Sequence, residues 1–265
     1  MKILSWFAKS NRRLFWTGTF LLFALWQALV MIFKPPAVLI PSPISVIASL
    51  PGLHFEHALV RELCYSFFLV MAGFVVATAV AVPTGFLLGV SRIVRGMTEE
   101  QIQAFRYLCL PLFTGMFTSF FGYGSGMKIA FLAVGRFLYL LPGVILVIKL
   151  LPYEYIQIGR SLCATKWQIL KTIIIPGSAS HIWDMSLINL PIGWTYISIV
   201  EQLNMSDGGI GVLSYTLGRN GLTMMVYAIG LIVLVIGILT DRSGVGLRNR
   251  IFKYRRFSKE VGDGQ

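Results

Sequence analysis

Long uncharged apolar blocks, separated by short charged stretches, organise this chain. They run Leu14 to Phe33, Leu63 to Ser91, Tyr107 to Met127, Met185 to Val200 and Asn220 to Thr240, and a sixth, Ile129 to Ile148, is interrupted only by Arg136. Each approaches the roughly 20 residues that a helix needs to cross hydrocarbon. Met185 to Val200 is shorter, but Ile182 and Trp183 extend it at one end. Backbone groups in lipid must satisfy their own hydrogen bonds, so each block is expected to be a helix. The expected fold class is an all-α polytopic membrane protein with six transmembrane helices. Residues 35–55 are also uncharged, but Pro35, Pro36, Pro41, Pro43 and Pro51 prevent one continuous helix there and place the segment at the membrane surface.

Composition supports this reading. The chain is 56% hydrophobic and 13% charged, about half the charge of an ordinary soluble domain, with a mean hydropathy of +0.74. A net charge of +12 raises the question of nucleic acid, yet there is no soluble basic domain to hold it. The distribution of cations explains the charge instead. With the N-terminus cytoplasmic, 18 of the 23 Lys and Arg fall inside, only Lys34, Arg61, Lys128 and Arg219 fall outside, and Arg136 lies within the membrane. That asymmetry orients the chain with both termini cytoplasmic. The organisation expected is a basic N-terminus at residues 1–13, a transmembrane domain at 14–241 and a basic tail at 242–265. The first apolar block is too long for a signal-peptide core and is read as a retained span. Cys64, Cys109 and Cys163 lack metal-ligand spacing and read as small apolar fillers.

One polar, amphipathic stretch stands apart, the loop 152–177, which this orientation places in the cytoplasm. Pro152 can begin a helix there, since its missing N–H costs nothing at that position. Ile156, Gly159, Leu162 and Cys163 share one side at helical spacing, with Gln157, Arg160 and Thr165 toward the others. Small residues at Gly159, Cys163 and Ala164 suggest a shallow face that a partner protein approaches closely. A partnerless interfacial helix is the alternative on residue chemistry alone. Pro176-Gly177 is expected to end the second helix of the hairpin.

The spacing Gln157-Ile158-Gly159, three residues, Cys163, nine residues, Ile173-x-Ile175-Pro176 resembles the signature loop of bacterial ABC-importer permeases: Glu-Ala-Ala, three residues, Gly, nine residues, Ile-x-Leu-Pro. Gln157 stands where Glu is usual and Cys163 where Gly is usual, which marks a divergent member. Ile40-Pro41-Ser42-Pro43, Gly85-x3-Gly89-x2-Arg92, Phe121-Gly122-x-Gly124, Glu201, Gly209-Ile210-Gly211 and Asp241-Arg242 are similar to landmarks of the subfamily that imports nitrate, sulfonates, taurine, bicarbonate or pyrimidine vitamin precursors. The resemblance covers roughly residues 38–242. It implies a type I importer permease fold in the bacterial cytoplasmic (inner) membrane, paired as a homodimer with two cytoplasmic ABC ATPase subunits and fed by an external solute-binding protein. It also implies that the loop is the ATPase-coupling element, with Glu154, Gln157, Ile158, Gly159, Arg160, Leu162, Cys163, Ala164 and Pro176 as its contact residues.

Catalytic chemistry has no candidate site. No G-x-x-x-x-G-K-[ST] occurs, so ATP hydrolysis is not expected of this chain, and no cofactor is implied. His54 and His57 read as a surface pair rather than a metal site. Asp184 is expected to cap its span or to meet a loop lysine. Arg136 and Glu201 are the charges that call for a role, because a buried arginine is costly unless paired or hydrated. Two readings stay open: Arg136 lines the translocation pathway and attracts a small polar or anionic solute, or it pairs with Glu201 and only fixes packing. At the level of the whole chain, a secondary transporter not coupled to ATP is the competing assignment. It would call for an inverted repeat around a midplane site, and none is evident.

Overall fold

The computed structural model describes residues 11–33, 35–36 and 39–252. The expected basic N-terminus lies outside these up to residue 10, the tail lies outside from residue 253 on, and so does Lys34. Every regular element among the described residues is helical. The described residues form two compact units, one from those up to Val60 with Leu213–Ile232 and the other from Arg61–Val212 with those from Val233 to Phe252.

The first unit contains α1 (Asn11–Phe33), α2 (Pro43–Ala48) and α3 (Leu50–His57), with residues 213–232. The prolines interrupt helix as expected, and two of them, Pro43 and Pro51, also start one. Ser42 caps α2 by accepting from the Ser45 N–H at 3.2 Å, and Pro43 and Pro51 sit in first turns, where a missing N–H costs nothing. Val46 and Leu53 are fully buried. Trp26 lies 6.2 Å from the Tyr227 ring, and the Tyr227 hydroxyl donates to the Leu39 carbonyl at 3.2 Å.

The second unit is built around α7 (Ser125–Lys149). Two-thirds of its apolar window is buried (67%), against 28% for α4 (Leu59–Val90) and 11% for the long last helix, α13 (Thr223–Ile251). These three are long and apolar enough to cross a membrane alone. The α4–α7 contact is close because α4 presents glycines to it. A Cβ at Gly73 would lie 2.8 Å from Leu132, and one at Gly85 would overlap Val144. Without side chains at those positions the helices gain dispersion contacts along their length, the usual driving force inside lipid.

Two apolar blocks depart from single straight helices. Tyr107 to Met127 was expected as one span. Instead, α5 (Arg92–Ala104) continues through a tight 3-10 turn at Phe105–Tyr107, and the chain bends by 83° before Leu110–Phe121, the segment that contains α6 (Thr114–Phe121). Leu108 and Cys109 leave helical geometry just before Pro111, and Gly122 ends α6 with φ +71°. The block Met185 to Val200 is divided between α10 (Ile175–Ile188) and α11 (Leu190–Leu203). Pro191 cannot donate to a carbonyl one turn back, and Asn189 competes for the backbone by donating its side-chain N–H to the Met185 carbonyl at 2.8 Å. The last helix also crosses the expected 241/242 boundary, running unbroken to Ile251.

Candidate functional site

The loop 152–177 folds as a helical hairpin seated on the membrane helices. Its first arm is α8 (Tyr153–Ser161), and its second begins at α9 (Lys166–Ile169). Between them the chain reverses through a hydrogen-bonded C-cap. The Ala164 N–H donates to the Gly159 carbonyl at 3.1 Å and the Cys163 N–H to Arg160 at 2.9 Å, with Cys163 at φ +55°. This is the Schellman pattern, in which the left-handed residue is usually glycine. The unusual Cys163 therefore occupies a position with a backbone reason for glycine, since a Cβ in that region costs about 1–2 kcal/mol. Thr165 and Gln168 then form a reciprocal capping box, with bonds of 3.3 and 2.8 Å.

Pro176 does not end the second arm. The helical path runs on from α9 through a π-helical turn, Leu170–Ile174, into α10. The wider turn, with the Ile175 N–H reaching back five residues to Leu170, makes room for a ring that cannot donate a hydrogen bond.

The faces of the hairpin are also not as expected. Gly159 is buried against the chain's own second arm, where a Cβ would lie 2.8 Å from Ile173 and 3.1 Å from Ile169. Ile156 and Ala164 join Ile169, Ile173 and Ile174 in a core shared with Leu140, Val144 and Ile148 of α7. The small residue thus lets the two arms close on each other. The exposed apolar surface is a different stripe, with Tyr155 54%, Ile158 57%, Leu162 76% and, on the second arm, Trp167 69% exposed. Glu154, Gln157, Arg160, Cys163 and Pro176 are exposed as well. Sequence reasoning missed Tyr155 and Trp167 because their exposure follows from how the hairpin closes.

Arg136 and Glu201 are both buried, at 2% and 0% exposure, but they form no ion pair. The pairing alternative is therefore set aside. Arg136 donates to the Ser186 carbonyl, near the C-terminal end of α10, and its guanidinium lies 3.7 Å from the centre of the Phe74 ring. Both contacts suit a cation, one through the negative end of a helix and one through a π face. Its Nε and Nη1 meet no protein partner, and neither does the buried Ser186 hydroxyl.

Glu201 has a different task. It accepts from the Ser66 hydroxyl at 2.6 Å and from the Gly211 N–H at 2.7 Å, while Ser66 accepts from the Ile210 N–H at 2.9 Å. Glu62 accepts from the Gly209 N–H. Side chains from α4 and α11 thereby satisfy the orphan donors at the first turn of α12 (Ile210–Arg219), where negative charge is favoured. Gly208 and Gly209 have φ of +79° and +117°, and a Cβ on Gly209 would overlap the Glu201 carboxylate. The N-terminal end of α7 carries Lys128, fully buried, 3.8 Å from Asp207 and 5.3 Å from the Tyr65 ring centre.

Asp184 meets Arg248 of α13 at 2.6 Å. Cys64, Cys109 and Cys163 are all free and exposed, so none is a core filler.

Residues 14–253 match the family described as binding-protein-dependent transport system inner membrane component. The chain is 27% identical over 241 residues to a putative ABC transporter permease protein of Methanocaldococcus jannaschii, covering 89% of each chain. It is 24% identical over 233 residues to the putative aliphatic sulfonates transport permease protein SsuC of Bacillus subtilis, covering 88% of this chain and 84% of that one. Identity is also 24% over 225 residues to the taurine transport system permease protein TauC of Escherichia coli, with 85% and 81% covered. In structure, the chain is similar to one from the MetNI methionine ABC transporter in an inward-facing conformation, with a TM-score of 0.65 at 19% identity, covering 73% of this chain and 95% of that one. This likeness shows the shared type I importer permease fold.

Proposed function

Because the chain belongs to the binding-protein-dependent transport system inner membrane components, we infer that its exposed hairpin is the joint through which an ATPase drives it. The protein is the membrane-spanning permease subunit of an ATP-driven importer, and it works with separate ATPase subunits and an external binding protein. The observation that carries the joint is the stripe Tyr155, Ile158 and Leu162, together with Trp167, held outward by a hairpin whose other face is packed into the core. A rigid seat and an exposed apolar stripe suit a helix that docks in a groove and transmits displacement instead of absorbing it.

On this reading the hairpin and both termini are cytoplasmic, supported by the 18-to-4 distribution of Lys and Arg. The chain pairs with a second copy, for which the sparsely buried α4 and α13 leave ample apolar surface. The cargo is a small polar or anionic solute. Arg136 is its candidate contact, because a buried cation with unpartnered N–H groups gains most from an oxyanion when the pathway opens. Glu201 is assigned to the first turn of α12 instead of to the pathway.

The test is association. Ile158→Asp places a charge in the stripe without touching the core, and it should abolish copurification of the ATPase subunits while leaving membrane insertion unchanged. Normal assembly and transport by that variant would overturn the joint. Robust ATP turnover by the isolated chain would overturn the division of labour.

A further inference from the structure

The helix α13 is longer than crossing requires. Its 29 residues span about 43 Å, against a hydrocarbon core of about 30 Å. The surplus end lies against α10, the helix that emerges directly from the second arm of the hairpin. Three contacts join them. The Trp183 indole N–H donates to the Gly244 carbonyl at 3.1 Å. Arg248 meets Asp184 at 2.6 Å, and both side chains are largely shielded, at 24% and 22% exposure. Leu187 packs where a Cβ on residue 244 would stand. A glycine inside a helix is unfavourable relative to alanine, and the close approach of Leu187 is the reason for one at this place. Arg248 is itself steadied by Asn249, whose side-chain oxygen accepts from its Nε and Nη2 at 3.1 and 3.0 Å.

We propose that Trp183, Asp184, Gly244 and Arg248 form a clasp that makes the end of α13 move as one body with the hairpin. They are positioning residues for transport. The helical path from the Thr165 cap to Asp184 is unbroken and about 27 Å long, so a push on Trp167 reaches the clasp along a stiff rod. Through the clasp the push is delivered to a second membrane helix that has no direct link to the loop in sequence. This inference rests on reading the hairpin as the ATPase joint, and the experiment separates the two.

The assembled importer is placed in vesicles with Cys64, Cys109 and Cys163 replaced by serine, and spin labels are attached to introduced cysteines. One pair, Ser161→Cys and Arg250→Cys, spans hairpin and α13. A second sample carries Ser161→Cys alone in both copies of the chain and reads the hairpin-to-hairpin distance. For the first pair, labelled chain is diluted with unlabelled chain so that distances within one copy are read. Binding of ATP should change the hairpin-to-hairpin distance while the hairpin-to-α13 distance stays constant. With Arg248→Glu the hairpin-to-α13 distance should become nucleotide-dependent while ATP turnover continues, and adding Asp184→Arg should make it constant again. If Arg248→Glu does not assemble, Arg248→Ala serves, with thermal melting as the check on folding. A hairpin-to-α13 distance that varies in the unaltered clasp, or stays constant in the broken one, overturns the clasp. A hairpin-to-hairpin distance that ignores ATP overturns the joint reading beneath it.

Discussion

Replacing Glu201 with alanine removes the acceptor for two buried donors, the Ser66 hydroxyl and the Gly211 N–H. Each donor left without a partner costs about 1–3 kcal/mol, and losing negative charge at a helix N-terminus adds roughly 0.3–1 kcal/mol. The expected destabilisation is about 3–5 kcal/mol, within the sum of those costs. Glu201→Gln keeps the shape and one acceptor oxygen, so about half of that loss is expected. For a chain of this size each kcal/mol moves the midpoint by about 2–4 °C, which puts the alanine variant roughly 10 °C below the parent in a detergent-solubilised melt. The informative step is the cycle with Arg136→Ala. Arg136 contacts Ser186 and Phe74, whereas Glu201 contacts Ser66 and Gly211, so the two share no partner. Their effects should add within about 0.5 kcal/mol. A coupling well above that, or a double variant more stable than Glu201→Ala alone, would show that the two charges compensate each other and refute the assignment of Glu201 to the α12 turn.

Gly159→Val should push Ile169 and Ile173 away and cost about 1–3 kcal/mol, and Ile173→Ala in the same chain should recover part of it in the same melting assay. Cys163→Gly should stabilise the hairpin by roughly 0.5–1 kcal/mol, because it relieves a left-handed Cβ at some cost in unfolded-state entropy; lower protection of the loop amides in hydrogen exchange would contradict this. Gly85→Leu should separate α4 from α7 and abolish accumulation of folded protein, and Val144→Ala should relieve the smaller Gly85→Ala change, read as recovered expression and melting temperature.

Much of this molecule is legible along the chain because its solvent imposes the rule. A backbone in lipid has only itself to bond to, so long uncharged blocks become helices, and Leu63 to Ser91, Ile129 to Ile148 and Asn220 to Thr240 lie on α4, α7 and α13 but for Ser91 and residues 220–222 at their ends. The loop spacing was equally legible, and the position of Cys163 has a local cause, a left-handed C-cap. Glu201 and the Gly-Ile-Gly turn were both visible as landmarks, ten residues apart at most, yet nothing in their spacing says that one bonds the other.

What only the tertiary structure decided is which side of each helix faces inward and where a helix stops being straight. Gly159 looked like a partner-facing surface because a small residue permits close approach from any direction, and only the closing of α9 over α8 determined that the approach is internal. A pair between Arg136 and Glu201 was one of two open readings because buried opposite charges attract, but each meets another partner, the Ser186 carbonyl for one and the α12 donors for the other. Such choices depend on contacts between residues as distant in sequence as Ser66 and Glu201 or Asp184 and Arg248. Hydropathy and spacing are sums over neighbours in the chain, so they determine that helices form and cross. Which side chains meet is decided by three-dimensional packing.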